Sequence, residues 1–156
     1  MSGALPLFAS GQWVEVRRCD PRAAAIVDRH YSRQTPGAPE FMPPGETFVL
    51  LTRDEGAVWG ACLNLDPVGN LRWRVTVFRR EHGALASELI GEATSLTFDR
   101  WRERGGLPEV PLTTEIDPRC TRRKRDPGRC FLRAGWRVLD PNRNGLVVLA
   151  AAEARS

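Results

Sequence analysis

Residues 71–104 read LRWRVTVFRREHGALASELIGEATSLTFDRWRER. Leu71–Phe78 is rich in β-branched and aromatic residues and predicts a strand. Arg79–Ala84 carries Gly83 and predicts a turn. From Leu85 to Arg104 the apolar residues fall at helical spacing: Leu89, Ala93 and Leu96, with Ile90, Thr97 and Trp101, lie on one broad face. Gly105-Gly106 stops this helix. Strand, tight turn and long helix are the segment around which the rest of the chain is ordered.

Before it, Trp13–Cys19 alternates as a strand. Asp20-Pro21 opens a helix, with Asp20 as N-cap and Pro21 in the first position. Ala23, Ile26, Val27 and His30 recur along it, and the spacing predicts an end near Tyr31-Ser32. Arg33–Glu46 holds Pro36, Gly37, Pro39, Pro43, Pro44 and Gly45, so it is a long loop rather than a helix. Thr47–Thr52 and Ala57–Asn64 are strands joined by Arg53–Gly56 as a hairpin. After the long helix come a short strand at Val110–Ile116, a basic loop at Arg119–Arg129, and a short helix at Cys130–Ala134. Two closing strands follow, Trp136–Leu139 and Gly145–Ala150, paired across Asp140-Pro141-Asn142. The expected order is β-α-loop-β-β-β-α-β-α-β-β.

With 156 residues, the chain is expected to be one domain over 13–156, preceded by a loose arm at 1–12. Charged residues at 27% and hydrophobic residues at 42% exclude a disordered or coiled-coil chain. No apolar run reaches the ~18–20 residues of a membrane span, and no signal peptide is read at the start, so a cytoplasmic protein is expected. Lys124 is the only lysine, so arginine supplies 22 of the 23 basic residues behind the net charge of +4. The codon bias of a GC-rich genome accounts for that total. It does not account for Arg119, Arg122, Arg123, Lys124, Arg125 and Arg129 gathering within eleven residues. Such a cluster suits nucleic-acid phosphates; the alternative is a solvated charge run with no partner. Cys19, Cys62, Cys120 and Cys130 show no CxxC pairing, so neither a zinc ribbon nor a disulfide framework is expected; Cys19 and Cys62 read as core.

Several residues carry chemistry. His30 and Tyr31 sit where a helix meets the long loop; imidazole serves as base or ligand, and phenolate binds a hard ferric ion. The alternative is a helix-end cap packed under the loop. Glu115 and Asp117 follow a strand, and alternation places both on one face. They read as general base or metal ligand, or as salt-bridge partners of the arginines that follow. Cys130 lies at a helix start, where a thiol pKa falls, or else packs in the core. Ser87 and Glu88 open the long helix, where Glu88 also suits the helix dipole.

The element order resembles the Gcn5-related N-acetyltransferase (GNAT) fold. That implies a twisted mixed α+β sheet of about six or seven strands with helices on both faces. In that fold the turn before the long helix holds the pyrophosphate of acetyl-CoA on an Arg/Gln-x-x-Gly-x-Gly/Ala pattern. Arg80 and Gly83 match it, Ala84 lies within it, and Leu85 replaces the final small residue. His30-Tyr31-Ser32, Ser87-Glu88-Leu89-Ile90, Thr114–Asp117 and Pro127–Trp136 together resemble, over about residues 13–150, the Mom family of bacteriophage DNA modification proteins. That resemblance implies conversion of adenine in duplex DNA to an N6-carbamoylmethyl base, which protects phage DNA from restriction in the host cytoplasm. It also implies an iron ion with the His30-Tyr31 motif as ligands; a carboxylate, Asp117, would complete a His/Tyr/carboxylate set. Catalytic candidates are then His30, Tyr31, Asp117, Glu115, Ser87 and Cys130. A flipped adenine would stack on Trp59, Trp73, Phe41 or Tyr31. Two other functions stay open: an acetyl-CoA-dependent acetyltransferase acting on a small amine or protein, and a non-catalytic DNA-binding protein. The donor group is not fixed by the sequence, and a homodimer is compatible with it.

Overall fold

The computed structural model describes residues 9–29, 40–118, 128–139 and 145–152. Among them are β1 (Ala9–Ser10), β2 (Trp13–Val16), α1 (Pro21–Val27), β3 (Glu46–Thr52), β4 (Ala57–Leu65) and β5 (Leu71–Arg80). Then follow α2 (Ala86–Glu103), β6 (Leu112–Ile116), α3 (Arg129–Arg133), β7 (Arg137–Val138) and β8 (Val147–Ala150). The molecule is α+β. Its eight strands form one sheet in the order β1-β2-β3-β4-β5-β6-β8-β7. Every neighbouring pair is antiparallel except β5 with β6. Two parallel neighbours need a crossover, and α2 supplies it.

Two expectations need correction. Among the described residues the sheet has eight strands, close to the six or seven expected, and the two-residue β1 is added because Ala9-Ser10 pairs with Trp13-Val14. The expected arm at 1–12 is therefore docked from residue 9 onward. The Gln12 amide donates to Glu92 of α2 at 2.9 Å, and Arg53 Nε donates to the Gly11 carbonyl at 2.9 Å. Helix α1 ends at Val27, several residues before Tyr31. There the Arg29 amide takes the Ile26 carbonyl at 3.1 Å, an i to i−3 bond that tightens the last turn. Its start is as expected: Asp20 accepts the Arg22 amide at 2.9 Å and Pro21 opens the helix.

The helices cover opposite faces. α2 and α3 lie over Phe48, Leu50, Trp59, Trp73, Val75, Leu112 and Leu149 in one large core. Helix α2 turns Leu89, Ile90, Ala93, Leu96, Thr97 and Trp101 inward, the face its spacing predicts. It ends with the Gly106 amide reaching back to the Trp101 carbonyl at 3.0 Å. On the other face, Ala23, Ile26 and Val27 of α1 pack on Val49, Leu51, Val58 and Val77, with Cys62 and Met42. Cys62 is core as expected. Cys19 is exposed, because it lies in the turn between β2 and α1.

One irregularity shapes the centre of the sheet. Gly60 pairs with Val77 but Ala61 pairs with Val75, so Thr76 is an extra residue in β5. This bulge reverses the alternation. Trp73 and Val75 face α2, whereas Val77 faces α1.

Candidate functional site

The parallel strands β5 and β6 pair only over Trp73–Val75 and Leu112–Thr114. β5 then continues to Arg80 along β4, while β6 continues to Ile116 along β8. The two strands part where Thr76 bulges, leaving a wedge between their carboxyl ends. In open α/β sheets that position, where the connections diverge, is where ligands bind.

One wall of the wedge is the turn from β5 into α2. Gly83 adopts φ +103°, and a Cβ there would meet Asp54 Oδ2 at 2.7 Å. Glycine therefore lets this turn lie against the β3–β4 turn, where the Glu81 amide also donates to the Gly56 carbonyl at 2.7 Å. Arg80 closes the turn from outside: its Nε donates to the Ala84 carbonyl at 2.8 Å and its Nη2 to the Gly83 carbonyl at 2.9 Å. Leu85 is the N-cap of α2 and supplies no side-chain cap, so the first turn keeps unsatisfied amides and a partial positive charge. Leu85 itself is 63% exposed where the acetyl-CoA pattern has a small residue. Ser87, half-buried, and Glu88, exposed, lie in this first turn.

The other wall is the end of β6. Thr113 and Glu115 point to the face away from α2, and Asp117 follows the strand's last residue. Glu115 forms a salt bridge with Arg74 of β5 at 3.3 Å, a partner that precedes it in the sequence. Cross-strand pairing places Arg74 beside Thr113, within one side chain's reach of Glu115. Sequence order alone hid this pair, since the two residues are 41 positions apart.

Arg119, Arg122, Arg123, Lys124 and Arg125 lie outside the described residues. The two flanks of that basic segment are described. It leaves after Pro118 and returns at Gly128, whose φ is +79°. A Cβ on Gly128 would meet Ile116 Cδ1 at 2.7 Å and Leu149 Cδ1 at 2.5 Å. Only glycine brings the chain this close to β6, so both flanks meet the strand at its carboxyl end. Gly128 then caps α3, where Arg129 is exposed and Cys130 is half-buried against the large core. Cys130 thus stands in the first turn of a helix and also packs.

His30 and Tyr31 lie outside the described residues. The chain is described up to Arg29, whose Nη2 donates to Glu81 Oε1 at 2.6 Å. Arg79 Nε donates to the same carboxylate at 3.1 Å. Hydrogen bonding to Arg29, aided by Arg79, holds the Glu81 carboxyl down to about 2. The end of α1 is therefore tied to the turn that opens α2. Sequence order does not reveal the role of Glu81, whose partner Arg29 is 52 residues away.

The stacking candidates are resolved in part. Trp59 and Trp73 are fully enclosed under α2 and cannot meet a base. Trp59 packs on Phe78, Phe131 and Trp136, and Trp73 on Phe98 and Trp101. Phe41 is half-buried against the α1 core. Among the described residues no group of three His, Cys, Asp or Glu side chains is placed to hold a metal. Of the expected iron ligands only Asp117 is described. No helix among them is long and apolar enough to cross a membrane. No protein-family model, curated protein or solved structure matches the chain.

Proposed function

We propose that the chain is a DNA-modifying transferase of the Mom type on a GNAT-like scaffold, converting adenine to an N6-carbamoylmethyl base. The scaffold reading is supported by the single parallel pair, by the wedge where it parts, and by helices on both faces. One observation carries the function. β6 delivers Glu115 and Asp117 to the opened end of the sheet, and the basic segment leaves and returns at that same end. Carboxylates for proton transfer thereby stand beside both flanks of the basic segment.

The chemistry follows from the acceptor. The adenine amine is inaccessible inside the stack, so the base must be turned out, at a cost of a few kcal/mol. Arginines at the flanking segment offset that cost by gripping the backbone. The amine is a weak nucleophile, because its lone pair is delocalised into the ring. A carboxylate that accepts its proton, as the new N–C bond forms and the donor's bond from that carbon to its leaving group breaks, raises its reactivity. Asp117 and Glu115 are the candidates, and Glu115 is already engaged by Arg74. An imidazole, a phenolate and a carboxylate suit a ferric ion, so the iron part of the reading rests on His30, Tyr31 and Asp117. On this reading the protein works in the cytoplasm of an infected bacterium, where phage DNA is copied.

The test is to express the protein with a plasmid, digest the plasmid to nucleosides and examine them by mass spectrometry, with metal analysis of the purified protein alongside. A modified deoxyadenosine is expected; its absence beside folded protein contradicts the reading. A second reading, an acetyl-CoA-dependent acetyltransferase, is favoured by the Arg80-closed turn ahead of an uncapped α2. It expects a clear thermal stabilisation by acetyl-CoA. DNA binding that survives replacement of His30, Tyr31 and Asp117, with no modified base, would instead indicate a non-catalytic DNA-binding protein.

A further inference from the structure

Among the described residues, the sheet face opposite α2 is only partly covered. α1 lies over β4 and β5 near Val58 and Val77. Beyond it, one cross-strand row runs through Cys62, Arg74, Thr113, Ala150 and Arg137, on five successive strands. Residues directly opposite one another point to the same face, so Arg74 and Arg137 share it. Strands lie about 4.8 Å apart, so these two arginines start roughly 14 Å from each other. Arg72 joins them from the next position of β5, opposite Asn64, and Glu115 is the acid of the group. Among the described residues, three arginines against Glu115 and, just past the strand, Asp117 leave this face positive.

The arginines are also under-satisfied. Arg72 Nε, Arg74 Nε and Asn64 Oδ1 are buried without a hydrogen-bond partner. Buried polar atoms are nearly always paired, and these three cluster on two adjacent strands. Two half-buried guanidinium groups whose Nε–H donors have lost water without gaining a partner, while Arg74 Nη1 is held by Glu115 at 3.3 Å, are a receptor for an anion. A phosphate oxygen accepts from the fork of an arginine, and Asn64 Oδ1 suits the bridging water common in such interfaces. The same face carries Glu115, which stands at the wedge.

We infer that Arg72, Arg74 and Arg137 form a phosphate-binding track for the DNA backbone, leading across the open sheet face to the carboxylates at the end of β6. The inference rests on the DNA-modifying reading and adds to it arginines that lie outside the basic segment 119–129 in the sequence. DNA on this track approaches the wedge from the face of Glu115, opposite α2.

The test is the salt dependence of binding to a short labelled DNA duplex, read by fluorescence anisotropy. Each phosphate contact contributes about −0.9 to the slope of log K against log salt. Arg72→Gln with Arg137→Gln is expected to flatten the slope by about two, and adding Arg74→Gln by about three. Melting temperatures verify that the variants fold. Should Arg74→Gln fail to fold with Glu115 stranded, the double variant carries the test alone. A wild-type slope in the folded double variant overturns the track while leaving the DNA reading intact. No measurable duplex binding by the wild-type protein overturns both.

Discussion

The two faces of this sheet are built from the same strands to opposite ends. Under α2, Trp13, Trp59, Trp73 and Trp101 are each no more than 2% exposed. Trp13 Nε1 donates to the Leu89 carbonyl at 2.9 Å and Trp59 Nε1 to Thr97 Oγ1 at 3.0 Å, so two indoles are bonded as well as packed. On the other face, α1 covers a small aliphatic cluster and leaves Arg72, Arg74, Thr113 and Glu115 half-buried. Strand β5 shows the division within a few residues. Trp73 and Val75 go to the sealed face, and Arg72 and Arg74 to the open one. Period-two alternation thus lets one strand hold the fold together on one side and present charge on the other.

That division can be broken in order of size. Trp59→Ala is expected to cost about 3–5 kcal/mol in denaturant unfolding, because four aromatic rings meet there. Thr97→Val strands the Trp59 N–H in the core and should cost about 1–3 kcal/mol by the same measurement. Asp20→Ala removes the α1 cap on the open side and should cost about 1 kcal/mol. Arg72→Gln should change stability by no more than about 0.5 kcal/mol. A loss there as large as at Trp59 would show that the open face also carries the fold.

The smallest effect is a pH dependence. Glu81 has its pKa depressed from 4.5 to about 2 by Arg29 and Arg79. A depressed carboxyl contributes stability above its unfolded pKa and loses it as pH falls through the folded value. The stability difference between wild type and Glu81→Gln should therefore be constant above about pH 5 and fade between about 4.5 and 2. Thermal melts across that range check it. A difference that persists undiminished at pH 2 would mean that the Arg29–Glu81 tie acts through packing instead of charge.

The strong local signals were readable in the sequence. Asp20-Pro21 marks the start of α1, and the spacing from Leu89 to Trp101 fixes the buried face of α2. The carboxylates of β6 were also legible, because they follow an apolar strand. Three features were not, and each depends on pairing with another strand. The Thr76 bulge sends Val77 to the face opposite Val75, although alternation puts both on one side. Arg74 reaches Glu115 only because β5 and β6 are neighbours. Ala9-Ser10 is a strand only because β2 supplies its partner. Trp59 and Trp73 read as stacking candidates for the same reason: their enclosure is a property of α2 crossing the sheet, which their own segments do not encode.

The most direct measurement of the central claim is the modified-deoxyadenosine content of plasmid DNA from cells expressing wild-type, Asp117→Asn or Glu115→Gln protein, with melting temperatures of the three proteins. The wild type should yield the modified nucleoside, and Asp117→Asn should abolish it with melting nearly unchanged. Unmodified DNA from the wild type, or full modification by both folded variants, would contradict the assignment of catalysis to the carboxyl end of β6.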